Sequence, residues 1–129
     1  MRRPKALVVE DEAATRKLLR NLLEEHGCEV DEAVDGQEAI IRLVQDHYGV
    51  VILDIVLPKI SGTAVMDFLM QRDPDVLSRI IVVTGLNVDE IRKLFPTVCS
   101  ALGKPVIPSR LLQSVNRCLS RGDAHFTSA

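Results

Sequence analysis

Three carboxylates close short apolar runs in this chain: Glu10 and Asp11 follow Ala6-Leu7-Val8-Val9, and Asp54 ends Val50-Val51-Ile52-Leu53. Thr84, with Gly85 behind it, ends Ile80-Ile81-Val82-Val83, and Lys104-Pro105 follows one more apolar stretch. Carboxylates gathered in a site of intermediate dielectric repel one another, each close pair costing on the order of a few kcal/mol, and a divalent cation relieves that cost. Oxygen ligands without Cys or His select a hard ion, and Mg²⁺ takes one or two carboxylates while keeping sites for water and phosphate oxygens. With charge screened in this way, the Asp54 carboxylate is able to attack an activated phosphoryl donor and form an aspartyl phosphate. The product adds nearly two negative charges. Lys104 offers an ammonium, Thr84 a hydroxyl, and Gly85 an open backbone for the phosphoryl group to approach.

Each of these residues has a plainer explanation when taken alone. Asp54 suits a turn or N-cap, Glu10-Asp11-Glu12 a solvated first helical turn, Thr84 a β-branched strand end, and Lys104 a snorkelling surface side chain. Their ordered placement at the ends of successive apolar runs favours a site, because the functional crevice of an open parallel sheet lies at the carboxyl ends of its strands.

The elements that must position them follow from hydrophobic period. Strands are predicted from Lys5 to Glu10, Glu29 to Ala33, Val50 to Asp54, Arg79 to Thr84 and Val98 to Leu102. Three are nearly unbroken apolar runs, which suits strands covered on both faces. Between them lie helical stripes: Leu18, Leu19, Leu22 and Leu23; Ala39, Ile40, Leu43 and Val44; Val65, Phe68 and Leu69; Val88, Ile91, Leu94 and Phe95; Leu111, Leu112, Val115 and Leu119. His26-Gly27 and Asp35-Gly36 mark turns, Pro58 and Pro74 break helices, and Ser61-Gly62 and Pro108-Ser109 stand where helices begin. Five βα units with right-handed crossovers give an α/β fold, an open parallel sheet with helices on both faces. One domain over residues 1–121 and a loose tail over 122–129 are expected.

Composition narrows the class. With 129 residues, 47% of them hydrophobic and 26% charged, the chain is long enough for one core without a structural metal or disulfides. No apolar run approaches the roughly 20 residues of a membrane span, and the basic start is followed by too few apolar residues for a signal peptide, so a cytoplasmic location is expected. The net charge of −2 argues against direct nucleic-acid binding. Cys28, Cys99 and Cys118 are odd in number and widely spaced, so all three are expected to be reduced core residues.

The set Leu7-Val8-Val9-Glu10-Asp11-Glu12, Val51-Ile52-Leu53-Asp54-Ile55-Val56-Leu57-Pro58-Lys59-Ile60-Ser61-Gly62, Val83-Thr84-Gly85 and Gly103-Lys104-Pro105 resembles the receiver domain of bacterial two-component response regulators, the family of the chemotaxis regulator, from Lys5 to about Leu119. The resemblance implies the flavodoxin-like, doubly wound strand order 2-1-3-4-5 with five helices. It implies Glu10 and Asp11 as the acidic Mg²⁺ pocket, Asp54 as metal ligand and phosphoacceptor, the Val56 backbone carbonyl as a further ligand, Thr84 as switch hydroxyl, and Lys104 as counter-charge before a cis proline. It also implies a histidine kinase or histidine phosphotransfer protein as donor, an output protein or domain as reader, a possible phosphorylation-linked dimer, and self-phosphorylation chemistry rather than turnover of a substrate.

The chain departs from the family at three places. Ala101 stands where an aromatic residue is common, the segment from Thr84 to Lys104 is short enough to abbreviate the fourth helix, and Glu10 replaces a more frequent Asp. Because of Ala101 and the shortened fourth helix, a phosphorylation-independent interaction module is the competing expectation, whereas Glu10 is expected to keep metal binding with altered geometry. An aspartate-nucleophile phosphatase would want a carboxylate at Val56. Val56 and Leu86, two residues beyond Asp54 and Thr84, are apolar and give no help in orienting a hydrolytic water, which points to a long-lived phosphoryl state. Arg16 and Arg20, one turn apart on the first helix, suit either kinase docking, as in the resembling family, or a solvated face with an Arg20 to Glu24 pair. Arg110, Arg117 and Arg121 fall on one side of the last helix, as a solvated stripe or a surface for an acidic partner.

Overall fold

A computed structural model describes residues 3–127, with side chains through residue 120. Five strands, β1 (Lys5–Val9), β2 (Glu29–Ala33), β3 (Val50–Asp54), β4 (Ile80–Thr84) and β5 (Ser100–Gly103), alternate with helices α1 (Ala13–Glu25), α2 (Gly36–Gln45), α3 (Gly62–Arg72), α4 (Val88–Leu94) and α5 (Pro108–Thr127). All pairings are parallel, in the order β2-β1-β3-β4-β5, the flavodoxin-like arrangement. Pro74 ends α3 and opens a 3-10 turn over Pro74–Arg79, where the lost amide and fixed φ of proline disfavour continuation. No helix of the described residues is long and apolar enough to cross a membrane.

The period of two along each strand sorts the core into two layers. Leu7, Val9, Val51, Leu53, Ile80 and Val82 pack with Ala39 of α2, Val65, Met66 and Leu69 of α3, and Ile91 of α4. Ala6, Val8, Val50, Ile52, Ile81 and Val83 pack with Leu19 and Leu23 of α1 and Leu111 and Val115 of α5. Glu10 and Asp54 continue the second series, two residues after Val8 and Ile52 respectively.

The helical stripes are narrower than their sequence pattern. Leu18, Val44 and Leu94 are exposed because each is the flanking member of a stripe whose inner residues already meet the sheet. Met66 and Tyr48, outside the predicted stripes, are buried. Tyr48 is sealed by a hydrogen bond from its hydroxyl to Asp31 Oδ2 at 2.7 Å, which satisfies the polar end of a residue that fills the core. Asp35-Gly36 forms a helix start rather than a free turn, the Asp35 carboxylate accepting the Glu38 amide at 2.8 Å. Helix α5 runs on to Thr127, into the segment expected as a loose tail; the end of that segment, residues 128 and 129, lies outside the described residues.

The cysteine expectation is corrected in part. Cys28 is a buried free thiol, whereas Cys99 and Cys118 form a disulfide. Wide sequence spacing gave no hint of it, because only the fold places the approach to β5 against the middle of α5. There the two Cα atoms are 6.0 Å apart, within the range a disulfide spans.

Two close approaches lock the loop after β3. A Cβ on Gly36 would stand 1.9 Å from the Ile60 carbonyl oxygen, and one on Gly62 would stand 2.4 Å from the Asp54 carbonyl oxygen. Lys59 turns the loop with a φ of 65°, uncommon for a residue with a side chain, and its ammonium reaches Asp35 at 3.4 Å. Ser61 then caps α3 by accepting the Ala64 amide. Because the obstruction at Gly62 is rigid backbone, Gly62→Ala is expected to cost about 1–3 kcal/mol, measured as a lower urea midpoint at unchanged slope.

Candidate functional site

The strand order changes direction at β1, which lies between β2 and β3, so the carboxyl ends of β1 and β3 open a crevice of the kind that binds ligands in doubly wound sheets. Val9 pairs with Leu53, setting Glu10 beside Asp54. The Glu10 amide still bonds the Ala33 carbonyl at 3.1 Å, so the ladder holds this residue although β1 ends at Val9. Glu10, Asp11 and Asp54 bring one carboxylate oxygen each within 4.8 Å of the others. Glu10 and Asp54 are 1% and 4% exposed, and Asp11 faces solvent.

Lys104 closes the group from the end of β5. Its ammonium donates to Asp54 Oδ2 at 2.8 Å and to Glu10 Oε1 at 3.1 Å. The Lys104 amide donates to the Thr84 carbonyl at 2.8 Å, and the Lys104-Pro105 bond is cis. Thr84 is fully buried, and its hydroxyl oxygen accepts the Leu86 amide at 2.9 Å. Asp54 Oδ1 accepts the Val56 amide at 3.1 Å, so the chain folds back over the carboxylate at once. The side chains of Val56 and Leu86 are exposed, on either side of this edge.

Burial pushes the Glu10 carboxyl up to about 7, assisted by Asp54 and resisted by Lys104. Asp54 is desolvated too, yet its hydrogen bonds with Glu10, Lys104 and the Val56 amide outweigh burial and hold it below the usual carboxylate range. Lys104 is raised, because its bonds to Asp54 and Glu10 exceed its own desolvation. A proton on this pair is therefore held by Glu10 in preference to Asp54. Glu10 Oε2 is buried without any hydrogen-bond partner. An orphaned oxygen of this kind carries a desolvation penalty, and beside two more carboxylates it fits a hard cation.

Sequence reasoning missed the residues that hold the acidic loop. Arg16 Nη1 donates to the Glu10 carbonyl at 2.9 Å and the Asp11 carbonyl at 3.3 Å, and Arg16 and Arg20 both pair with Glu32 of β2. The expected Arg20 to Glu24 pair is present at 3.2 Å, yet Arg16 is an anchor for backbone as much as a surface charge. A long-range partner such as Glu32 leaves no local spacing signal. In the last helix Arg117 bonds the Ser100 hydroxyl rather than an acid; the side chain of Arg121 lies outside the described residues.

Known proteins are similar to this chain in sequence and in fold. The sequence profile of the response regulator receiver domain matches residues 6–116. The phosphate regulon transcriptional regulatory protein PhoB of Rhizobium meliloti is 38% identical over 127 residues, covering 97% of this chain and 56% of that protein. The probable transcriptional regulator ycf27 of Porphyridium aerugineum is 34% identical over 125 residues, covering 95% and 51%. The chain thus spans about half the length of the curated relatives it matches. Among solved structures, the response regulator TrrA of Thermotoga maritima in complex with Mg(2+)-BeF is 31% identical with a TM-score of 0.80, covering 90% of this chain and 99% of that one. The receiver domain of the Francisella response regulator 1452 is 26% identical with a TM-score of 0.84, covering 92% and 98%. With a family match over nearly the whole chain and an acidic crevice at the expected edge, the chain belongs to the response regulator receiver domain family, a family of signalling switches in two-component systems.

Proposed function

We propose that Asp54 accepts a phosphoryl group from a phosphohistidine of a kinase or phosphotransfer partner and that the aspartyl phosphate alters binding to an output protein or domain. The observation that carries this reading is the buried, unpartnered Glu10 Oε2 beside Asp11 and Asp54, an electrostatic arrangement that is costly unless a cation completes it. Glu10, Asp11, Asp54 and the Val56 carbonyl would hold Mg²⁺. Bound there, it supplies positive charge that screens the carboxylates from one another and from incoming phosphoryl oxygens. The Mg(2+)-BeF complex of the Thermotoga maritima relative supports this assignment.

The protein's own groups divide the remaining work. Asp54, kept ionised by Lys104 and the Val56 amide, is the nucleophile: its oxygen bonds phosphorus while the phosphorus–nitrogen bond of the donor histidine breaks and the imidazole leaves. Lys104, which bridges both acids before transfer, is placed to follow the new negative charge. The Thr84 hydroxyl accepts from Leu86 and keeps its own proton to donate to a phosphoryl oxygen. Ala101, buried at 2% exposure, carries no side chain able to rotate with Thr84, so transmission through β5 relies on backbone and on Lys104. That absence is also what would favour a phosphorylation-independent module, against which the retained carboxylate group weighs.

Three outcomes test this reading. Incubation with Mg²⁺ and acetyl phosphate should give a single phosphoryl adduct by intact mass, absent in Asp54→Asn; no adduct, together with no metal binding, would transfer the case to the phosphorylation-independent module. The adduct should outlast that of Val56→Gln severalfold, since an amide there orients hydrolytic water; equal decay in timed mass spectra removes the lifetime argument. A carboxyl whose folded pKa is raised stabilises the fold at low pH and loses that contribution as pH rises toward the folded value. The metal-free protein should therefore melt at lower temperature as pH goes from about 5 to about 8, through the Glu10 value of about 7; Mg²⁺ should offset the loss, and Glu10→Gln should flatten the trend.

A further inference from the structure

The phosphoryl chemistry uses none of the cysteines, yet two of them are placed for chemistry of their own. Cys99 lies directly before β5 and Cys118 in α5, joined with Cα atoms 6.0 Å apart. Cys99 also lines a cavity of about 470 Å³ between α4, β5 and α5, shared with Arg92, Phe95, Ala101 and Arg117. Arg92 donates to the Ala101 carbonyl at 3.1 Å, and Arg117 donates to the Ser100 hydroxyl at 3.3 Å. Among the described residues neither arginine enters an ion pair. Two guanidinium groups with only uncharged acceptors, at a cavity that reaches a sulfur, favour an anion there and favour the thiolate form of a cysteine beside it.

We propose that Cys99 and Cys118 are a reversible thiol–disulfide site whose cavity admits an anionic low-molecular-weight disulfide, of the carboxylate-bearing peptide or amino-acid class. In the reduced protein Cys99, the less buried of the two, gives its proton to water, and its thiolate attacks one sulfur of the small disulfide. That sulfur–sulfur bond breaks and one small thiolate leaves to take up a proton. Cys118, also deprotonated, attacks the Cys99 sulfur of the mixed disulfide, and the second small thiolate leaves and is protonated in turn. Two protein thiols are oxidised by two electrons, and one small disulfide is reduced to two thiols. The closed ring spans a sequence separation of 19 residues and contains Lys104, so oxidation ties the segment bearing the site's only ammonium among the described residues to α5.

The test uses the full chain, fully reduced, at fixed ionic strength. It is exposed separately to glutathione disulfide, neutral hydroxyethyl disulfide and cationic cystamine, then quenched in acid, alkylated and mapped by mass. Formation of a Cys99–Cys118 bond with release of two small thiols, Cys28 remaining a thiol, is the expected product. Each rate is normalised to that of a short cysteine peptide, and glutathione disulfide should then react roughly tenfold faster than cystamine. The chain's net charge of −2 would by itself favour the opposite order. High salt, Arg92→Gln and Arg117→Gln should each lower the rate with glutathione disulfide by a larger factor than the rate with the neutral reagent, because a loss of thiolate slows both reagents alike whereas a loss of anion recognition slows only the anionic one. Three alkylated cysteines after exposure, or a mixed disulfide that does not resolve, would overturn the site. Parity between the charged reagents, or a faster cystamine reaction, would overturn the anion recognition; both are read on the unmodified protein and do not depend on a variant folding.

Discussion

Lys104 Nζ stands 3.1 Å from one buried carboxylate and 2.8 Å from another, and that three-way contact joins residues separated by 94 and 50 positions in the chain. An acid pair shut away from water is tolerated only when a cation and hydrogen bonds answer it. The rest of the architecture meets that requirement: the β1 and β3 register sets the acids side by side, the Lys104 amide is fixed to Thr84, and Arg16 grips the carbonyls of Glu10 and Asp11. One ammonium answering two acids leaves one buried oxygen, Glu10 Oε2, without a hydrogen-bond partner. The resting arrangement is in this sense unfinished, which is the condition a charge-driven switch needs.

Much of this was legible in the chain because it is local. β2 and β3 coincide with the apolar and alternating runs that predicted them, and the others differ at their ends. The gathering of Glu10, Asp11, Asp54, Thr84 and Lys104 at one edge was legible for the same reason, since a parallel sheet carries every strand's end to one edge. What escaped was non-local. The burial of Met66 and Tyr48, the exposure of Leu18, Val44 and Leu94, the grip of Arg16 on the acidic loop and the meeting of Cys99 with Cys118 each depend on an element distant in sequence. Periodicity says which side of a helix is apolar, but the neighbouring element decides how wide a strip of it is covered.

The turn after Asp54 shows how tightly the site is bound to its surroundings. Gly62 lies against the Asp54 carbonyl, Gly36 lies against Ile60, and Lys59 reaches Asp35. The start of α2 is thereby a wall of the pocket as well as a cover for the sheet. The Asp35 carboxylate is held below its ordinary range by the Glu38 amide and then by Lys59, so it stays charged and keeps both contacts.

The two outer strands carry a consequence of another kind. β2 exposes Glu29 and half-buries Asp31 and Glu32, while the other margin has Arg92 seated on the Ala101 carbonyl. Acidic side chains on one border and a bulky guanidinium on the other discourage a neighbouring chain from adding a strand, the route by which open sheets aggregate. A sheet guarded in this way resists sideways growth, which leaves its helical faces and loops as the more open surfaces.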